Sequence, residues 1–156
     1  MFSMSLSRML NVMAFVPDGR ILLRRNTGYQ SGWPVQRRNG LPWQGTFSKT
    51  SYAKDEASLL DDANREFRHY FKVAAEDIGT LTFIEDLAHS ANQILTVVTL
   101  HMNKGNFVHL TCHNNDDIST IGIEDLITET NLTPSRFTYQ TCKSMEVIKN
   151  AWKLGD

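Results

Sequence analysis

Cysteine is scarce in this chain of 156 residues, which contains only Cys112 and Cys142. The two lie far apart and form no C-x-x-C pair, which argues against a small disulfide framework and against a zinc knuckle. Isolated cysteines in such a sequence are most often buried as small apolar side chains. We therefore expect two structural thiols.

The chain also lacks a charge excess of either sign. It has 16 lysine and arginine residues against 17 aspartate and glutamate residues, a formal net charge of -1. This balance supplies no field that would attract DNA, RNA or an anionic membrane, so nucleic acid and membranes are disfavoured as main partners. Any recognition of a charged ligand is expected to depend on a local cluster of residues.

No repeat, low-complexity tract or linker divides the sequence, and 41% of its residues are apolar and 21% charged. These features predict one soluble globular domain over residues 1–156. The N-terminal segment lacks the basic stretch and the small-residue cleavage site of a signal peptide. We expect a cytoplasmic protein, and a homo-oligomer is compatible with the sequence.

The first quarter of the chain reads as a hairpin followed by a loop. Residues 9–16 and 20–25 are rich in strand formers and flank the turn residues 17–19, Pro-Asp-Gly. Residues 26–45 contain four glycines, two prolines and two tryptophans without a regular period, which predicts a long loop. Loops of this length in compact domains often carry function.

The predicted order of hairpin, loop, helix, several strands and closing helix indicates an α+β fold with helices packed on a mixed or antiparallel sheet. A period of about 3.6 residues predicts a helix from about Asp55 to Phe71. A closing helix is predicted from Pro134, with Thr133 as its N-cap. Between them we expect strands at 80–87, 93–102 and 107–112, and a short strand with a turn of helix at 119–127.

This order of elements and the residues Arg65-Glu66-Phe67 resemble the Nudix family, whose members mostly hydrolyse nucleoside diphosphates linked to another group. The family motif has a glycine, five residues, a glutamate and seven residues before R-E-(apolar)-x-E-E-x-G-(apolar). Arg65, Glu66 and Phe67 match R-E-(apolar), and Val73 matches the last apolar position. Glu56 matches the earlier glutamate if one extra residue is allowed before Arg65.

The sequence departs from that motif where the family binds metal. His69 and Tyr70 stand in place of the two adjacent glutamates, and Lys72 stands in place of the late glycine. Clustered helical carboxylates hold Mg²⁺ against a pyrophosphate, whereas a phenol and an imidazole are poor ligands for this hard ion. The resemblance thus implies a Nudix-like α/β/α sandwich with a mixed sheet between helices, and standard Mg²⁺-dependent hydrolysis that is lost or much reduced.

A residual set of acids remains on this helix. Glu56 and Glu66 are the catalytic candidates, and Glu56, Asp62, Glu66 and His69 are the candidate ligands of a divalent metal, Mg²⁺ or Mn²⁺. The mixed set suits Mn²⁺ or another transition metal better than Mg²⁺. The simpler alternative, which we favour, is a solvated face on which Asp62 and Glu66 pair with neighbouring basic residues.

Four residues are candidates for binding a nucleotide or another diphosphate-containing small molecule. Arg24 and Arg25 end a strand beside the long loop, where a guanidinium group can grip a phosphate. Strand alternation places them on opposite faces, so at most one is expected to face the ligand. Trp43 is a candidate for stacking on a base, with packing in the core as the equally weighted alternative. Arg65, which matches the arginine of the family motif, completes this set.

Three functions follow from these residues. The first, which we favour, is a Nudix-fold protein that keeps a nucleotide-binding cleft for a binding or regulatory role. The second is an active hydrolase with relocated metal ligands, among them Glu85 or Asp86 after the helix. The third is a protein-interaction domain in which side chains fill the former cleft.

Overall fold

The computed structural model describes residues 7–25, 42–71, 73–90, 92–103 and 118–154. Within them the strands are β1 (Ser7–Phe15), β2 (Ile21–Arg25), β3 (Trp43–Gln44), β4 (Phe47–Ser51), β5 (Thr80–Ser90), β6 (Gln93–His101) and β7 (Ile118–Ile121). The α-helices are α1 (Glu56–Phe71), α2 (Ile123–Leu132) and α3 (Tyr139–Trp152). None of these described helices is long and apolar enough to cross a membrane.

The seven described strands form one mixed sheet with β1 near its centre. One edge of β1 pairs in parallel with β6 from Ser7 opposite Gln93 to Phe15 opposite His101. Strand β5 lies antiparallel on the far side of β6. The other edge of β1 is shared, because β2 pairs with its end and β4 with its beginning, both antiparallel. The mixed sheet agrees with the predicted fold class.

Both faces of β1 are buried, since its side chains alternate between two cores. Leu10, Val12 and Ala14 belong to the core under α1. Met13 and Phe15 belong to the core formed with α2 and α3. The sheet therefore lies between helical layers, which is the predicted α/β/α arrangement.

Helix α1 occupies nearly the predicted span. Asp55 precedes it as N-cap, and its carboxylate accepts a hydrogen bond from the Ser58 backbone N–H at 2.8 Å. This hydrogen bond lowers the pKa of the Asp55 carboxyl below its usual value. The fully buried positions, four residues apart, form the stripe against the sheet: Leu59, Ala63, Phe67 and Phe71.

The predicted hairpin is present, with Phe15 opposite Ile21 and Gly19 in the left-handed region at φ 90°. Of the predicted loop 26–45, residues 43–44 form strand β3 and residues 26–41 lie outside the described part. The predicted strand at 107–112 also lies outside it. Cys142 is half-buried in the second core, where burial raises the pKa of its thiol.

The start of the closing helix was predicted five residues too early. The backbone N–H of Thr133 bonds to the Glu129 carbonyl and so completes the end of α2, and residues 134–136 form a short 3-10 turn. Helix α3 begins at Tyr139, where Thr138 is the N-cap and its hydroxyl accepts the Thr141 N–H. Thr133 and Pro134 thus start the short 3-10 turn and not α3, and Thr133 also closes the preceding helix.

Thr46 closes a gap that the shared edge of β1 creates. The pairing of β1 with β4 ends at Val12, so the backbone N–H of Ala14 has no partner in that strand. It donates instead to the Thr46 hydroxyl at 2.9 Å. The same hydroxyl donates to the Leu22 carbonyl of β2 at 2.6 Å. Thr46 is fully buried, so without it two backbone groups would lose a partner away from water.

We expect Thr46→Val to lower the free energy of unfolding by about 2–4 kcal/mol, because the isosteric side chain leaves both backbone groups unpaired. Thr46→Ser keeps the hydroxyl and is expected to cost about 1 kcal/mol for one buried methyl group. Urea unfolding of both variants measures the difference. An equal loss of unfolding free energy in the two variants would show that the Thr46 hydroxyl does not provide this stability.

Candidate functional site

A cleft of about 450 Å³ opens between β2 and β4, which pair with different parts of the same edge of β1. The last turn of α1 borders it on one side, and the first turn of α3 on another. Its polar and charged lining includes Arg24, Gln44, Lys49, Tyr70 and Gln140. The cleft thus combines two cations with neutral groups that donate hydrogen bonds.

Arg24, a predicted ligand-binding residue, lies in this cleft and is held by Tyr70. Its Nη1 donates to the Tyr70 hydroxyl at 2.5 Å. The guanidinium carbon lies 4.8 Å from the centre of the Tyr70 ring and 5.6 Å from that of Phe71. Tyr70 in turn packs against Phe47, with ring centres 5.5 Å apart. The residue that replaces a motif glutamate therefore orients an arginine.

Glu66, a predicted catalytic residue and metal ligand, is paired with Lys49. The Lys49 Nζ lies 2.6 Å from the Glu66 Oε2 and connects β4 to α1. The hydrogen bond from Lys49 lowers the pKa of the Glu66 carboxyl below its usual value. Glu66 is therefore ionised at neutral pH, but one of its oxygens faces an ammonium group.

Both carboxylate oxygens of Asp62, a predicted metal ligand, contact other side chains. Its Oδ2 accepts a hydrogen bond from the Ser51 hydroxyl at 2.9 Å, and its Oδ1 pairs with the Arg65 guanidinium. Arg65, predicted to bind ligand, is exposed and lies in an open depression of about 590 Å³ that also contains Lys49 and the exposed ring of Tyr52. This depression adjoins the Arg24 cleft through Lys49.

The structure does not bring the four predicted metal ligands together. Glu56 is exposed in the first turn of α1 and His69 is exposed in its last turn. At 1.5 Å per residue these positions lie about 20 Å apart along the helix, and Glu56 and Glu66 about 15 Å apart. Among the described residues, no group of three or more His, Cys, Asp or Glu side chains is placed to hold a metal ion.

The remaining predicted residues have different surroundings. Trp43 packs half-buried against the second core, and its carbonyl accepts the Thr138 N–H at 2.8 Å. For Arg25, the structure describes the backbone pairing with Trp43 and not the side chain. Asp86, an alternative metal ligand, lies 2.7 Å from the buried Arg8 and accepts a hydrogen bond from Thr96 at 2.7 Å.

Sequence reasoning gave little weight to Lys49, the residue that joins the cleft to Glu66, because the segment Ser48-Lys49-Thr50-Ser51 lacks the glycine pattern of a phosphate-binding loop. The signal that was available is strand alternation. Phe47 and Ser51 are buried, and Phe47 packs against Phe67 of α1, so Lys49 lies on the same face of β4. A basic residue facing a helix that carries an acid at position 66 is a candidate for an ion pair.

Comparisons with known proteins show a shared fold. Neither a protein-family model nor a curated protein sequence matches the chain. A mutT/nudix family protein from Listeria innocua matches with a TM-score of 0.59 and 12% identity over 94% of each chain. An ADP compounds hydrolase matches with a TM-score of 0.58 and 12% identity over 94% of this chain and 73% of that chain. The Escherichia coli ORF135 protein matches with a TM-score of 0.54 and 16% identity over 97% of each chain.

We expect Lys49→Met to raise the pKa of Glu66 toward its ordinary value of 4.5, because the ammonium that favours the carboxylate is removed. In the wild type this pair stabilises the fold above pH 4.5, and its contribution is lost as the pH falls through the lowered pKa. An NMR titration of the Glu66 side-chain carboxyl measures the shift. Lys54→Met removes an equal charge at an exposed position and serves as control; equal midpoints in all three proteins would contradict the assignment.

Proposed function

We propose that this chain, which has the Nudix fold, binds a nucleotide or another diphosphate-containing ligand in the cleft of Arg24 and Lys49. We further propose that Mg²⁺-dependent pyrophosphate hydrolysis is lost or much reduced. The observation that carries the proposal is the pair of cations in the cleft, one held by Tyr70 and the other by Glu66. A binding or regulatory role in the cytoplasm follows.

Arg24 is preorganised for a phosphate. A guanidinium group presents its N–H donors in a planar fork that matches phosphate oxygens. The Tyr70 hydroxyl and ring fix the plane of that fork, so less side-chain freedom is lost when an anion binds. Lys49 supplies a second positive charge on the facing strand.

The first turn of α3 supports an anion at the same place. Thr138 and Gln140 line the cleft, and the helix begins at Tyr139. Backbone N–H groups and the positive end of the helix dipole favour negative charge there. The Gln140 and Gln44 amides add neutral donors that suit phosphate or sugar oxygens.

The acids near the cleft do not fit a hard divalent cation. Such an ion needs several oxygen ligands at about 2.0–2.6 Å. Glu66 pairs with the Lys49 ammonium, and Asp62 accepts a hydrogen bond from Ser51 and pairs with Arg65. The alternative ligand Asp86 already neutralises a buried arginine. These contacts support a binding protein over a hydrolase with relocated ligands.

A solved structure with the same fold supports the ligand class. That protein is described as an ADP compounds hydrolase, at 12% identity to this chain. ADP compounds contain a diphosphate, the group that Arg24 and Lys49 fit by charge. The ligand class therefore agrees with the chemistry of the cleft, while the residues of the present chain decide what is done to it.

The binding proposal is tested by calorimetric titration with nucleoside di- and triphosphates, ADP-ribose and nucleotide sugars. At least one of them should bind, and Arg24→Gln should weaken it by about tenfold or more, because a charge-assisted hydrogen bond is lost. Arg20→Gln is the matched control. It removes the same charge, but the Arg20 side chain bonds to Thr120 on β7 and does not line the cleft. No binding across the panel would support an interaction domain instead.

The loss of hydrolysis is tested on the wild type with the same compounds. Release of phosphate or nucleoside monophosphate should stay near background with Mg²⁺, with Mn²⁺ and with a chelator. Turnover on the order of 1 per second or faster that needs metal and disappears in Glu66→Gln would contradict this part of the proposal and establish an active hydrolase.

A further inference from the structure

We propose that the Lys49 ammonium takes the place of a divalent cation at the ligand, so that the cleft binds a diphosphate in its metal-free form. This inference rests on the proposed function and adds the chemical state of the ligand. Its basis is the position of Lys49, which touches Glu66 and lines both the Arg24 cleft and the adjoining depression.

Lys49 has donors left for a ligand. An ammonium group carries three N–H donors, and Glu66 accepts one of them at 2.6 Å. The Lys49 side chain is 44% exposed, so its charge faces the water that fills the two depressions. A phosphate that binds there would contact the Lys49 ammonium, which also pairs with Glu66.

The Lys49 ammonium also competes with a metal ion for the same carboxylate. A divalent ion bound to Glu66 Oε2 would lie no more than about 5 Å from Lys49 Nζ, given ordinary metal–oxygen distances. Two cations at that separation repel, and the repulsion is relieved only if one leaves. The ammonium group is tethered to β4 at a fixed high local concentration, whereas the metal ion comes from solution, so the ion pair disfavours the metal ion.

The charge of the ligand then decides which form binds. A diphosphate without metal carries its full negative charge, whereas a complex with Mg²⁺ has part of that charge neutralised. Arg24 and Lys49 both line the cleft, and two fixed cations attract the more negative form more strongly. Magnesium in solution should therefore weaken binding by withdrawing the free anion.

The test uses inorganic pyrophosphate as the probe, in calorimetric titrations with a chelator and with excess Mg²⁺. We expect binding in the chelator and weaker apparent binding in Mg²⁺. Binding that appears only with Mg²⁺ would overturn the inference and leave the proposed ligand class standing. No pyrophosphate binding in the chelator would also overturn it, and the nucleotide titrations above would still decide the proposed function.

Three variants separate the lysine from a metal. In the chelator, Lys49→Met should weaken pyrophosphate binding by about tenfold or more, and Lys49→Arg should keep most of it. Lys54→Met is the control for lost charge at an exposed neighbouring position. Glu66→Gln should tighten binding, because it removes a negative charge beside the bound anion, whereas the same change would weaken a complex held through metal. Weaker binding in Glu66→Gln, or unchanged binding in Lys49→Met, would overturn the inference.

Discussion

Strand β1 has to share one of its edges between two partners, and the site depends on this constraint. Because β4 pairs with its first half and β2 with its end, the two partners cannot also pair with each other along their length. They diverge, and a cleft opens between them. The Thr46 hydroxyl joins β1 to β2 at the point of divergence, so the backbone stays satisfied without closing the gap. The sheet thus creates a cleft from its own pairing pattern.

The residues around this cleft combine packing of the core with the placement of charge. Tyr70 keeps its ring against Phe47 and Phe71, which a glutamate would not do, and its hydroxyl holds an arginine. Lys49 supplies positive charge on β4, where it pairs with Glu66 of α1. The buried stripe of α1 is untouched by either residue. The packing of the fold and the charge of its cleft are therefore set by different residues.

The elements with a strong local period were the ones that the sequence could predict. The stripe Leu59 to Phe71 and the turn at Gly19 carry their own signals, and helix α1 and the hairpin followed from them. The start of α3 was misplaced because Thr133 and Pro134 have helix-start chemistry, whereas in the structure they start a short 3-10 turn and Thr133 also ends α2. Local preference is a weak guide where two helices meet.

The site was harder to predict because it depends on contacts between elements. The four candidate metal ligands share a sequence neighbourhood, yet the rise of the helix separates Glu56 from Glu66 and His69. Conversely, Lys49 and Glu66 meet only because β4 lies under α1. Arg24 was identified from its strand end, but its partner Tyr70 is 46 residues away. The spacing of residues along the chain does not predict which of them lie close together in the fold.

The parallel pairing of β1 with β6 has a consequence for how the chain folds during synthesis. Ser7 and Gln93 are 86 residues apart, which corresponds to roughly 4–17 s of translation at ordinary rates. The partners on the other edge, β2 and β4, emerge sooner. We expect the antiparallel half of the sheet to form first, with the apolar strand β1 exposing an open edge until β6 arrives. Such an edge is a template for aggregation, so a nascent chain that stalls between β4 and β6 would be a natural client for chaperones.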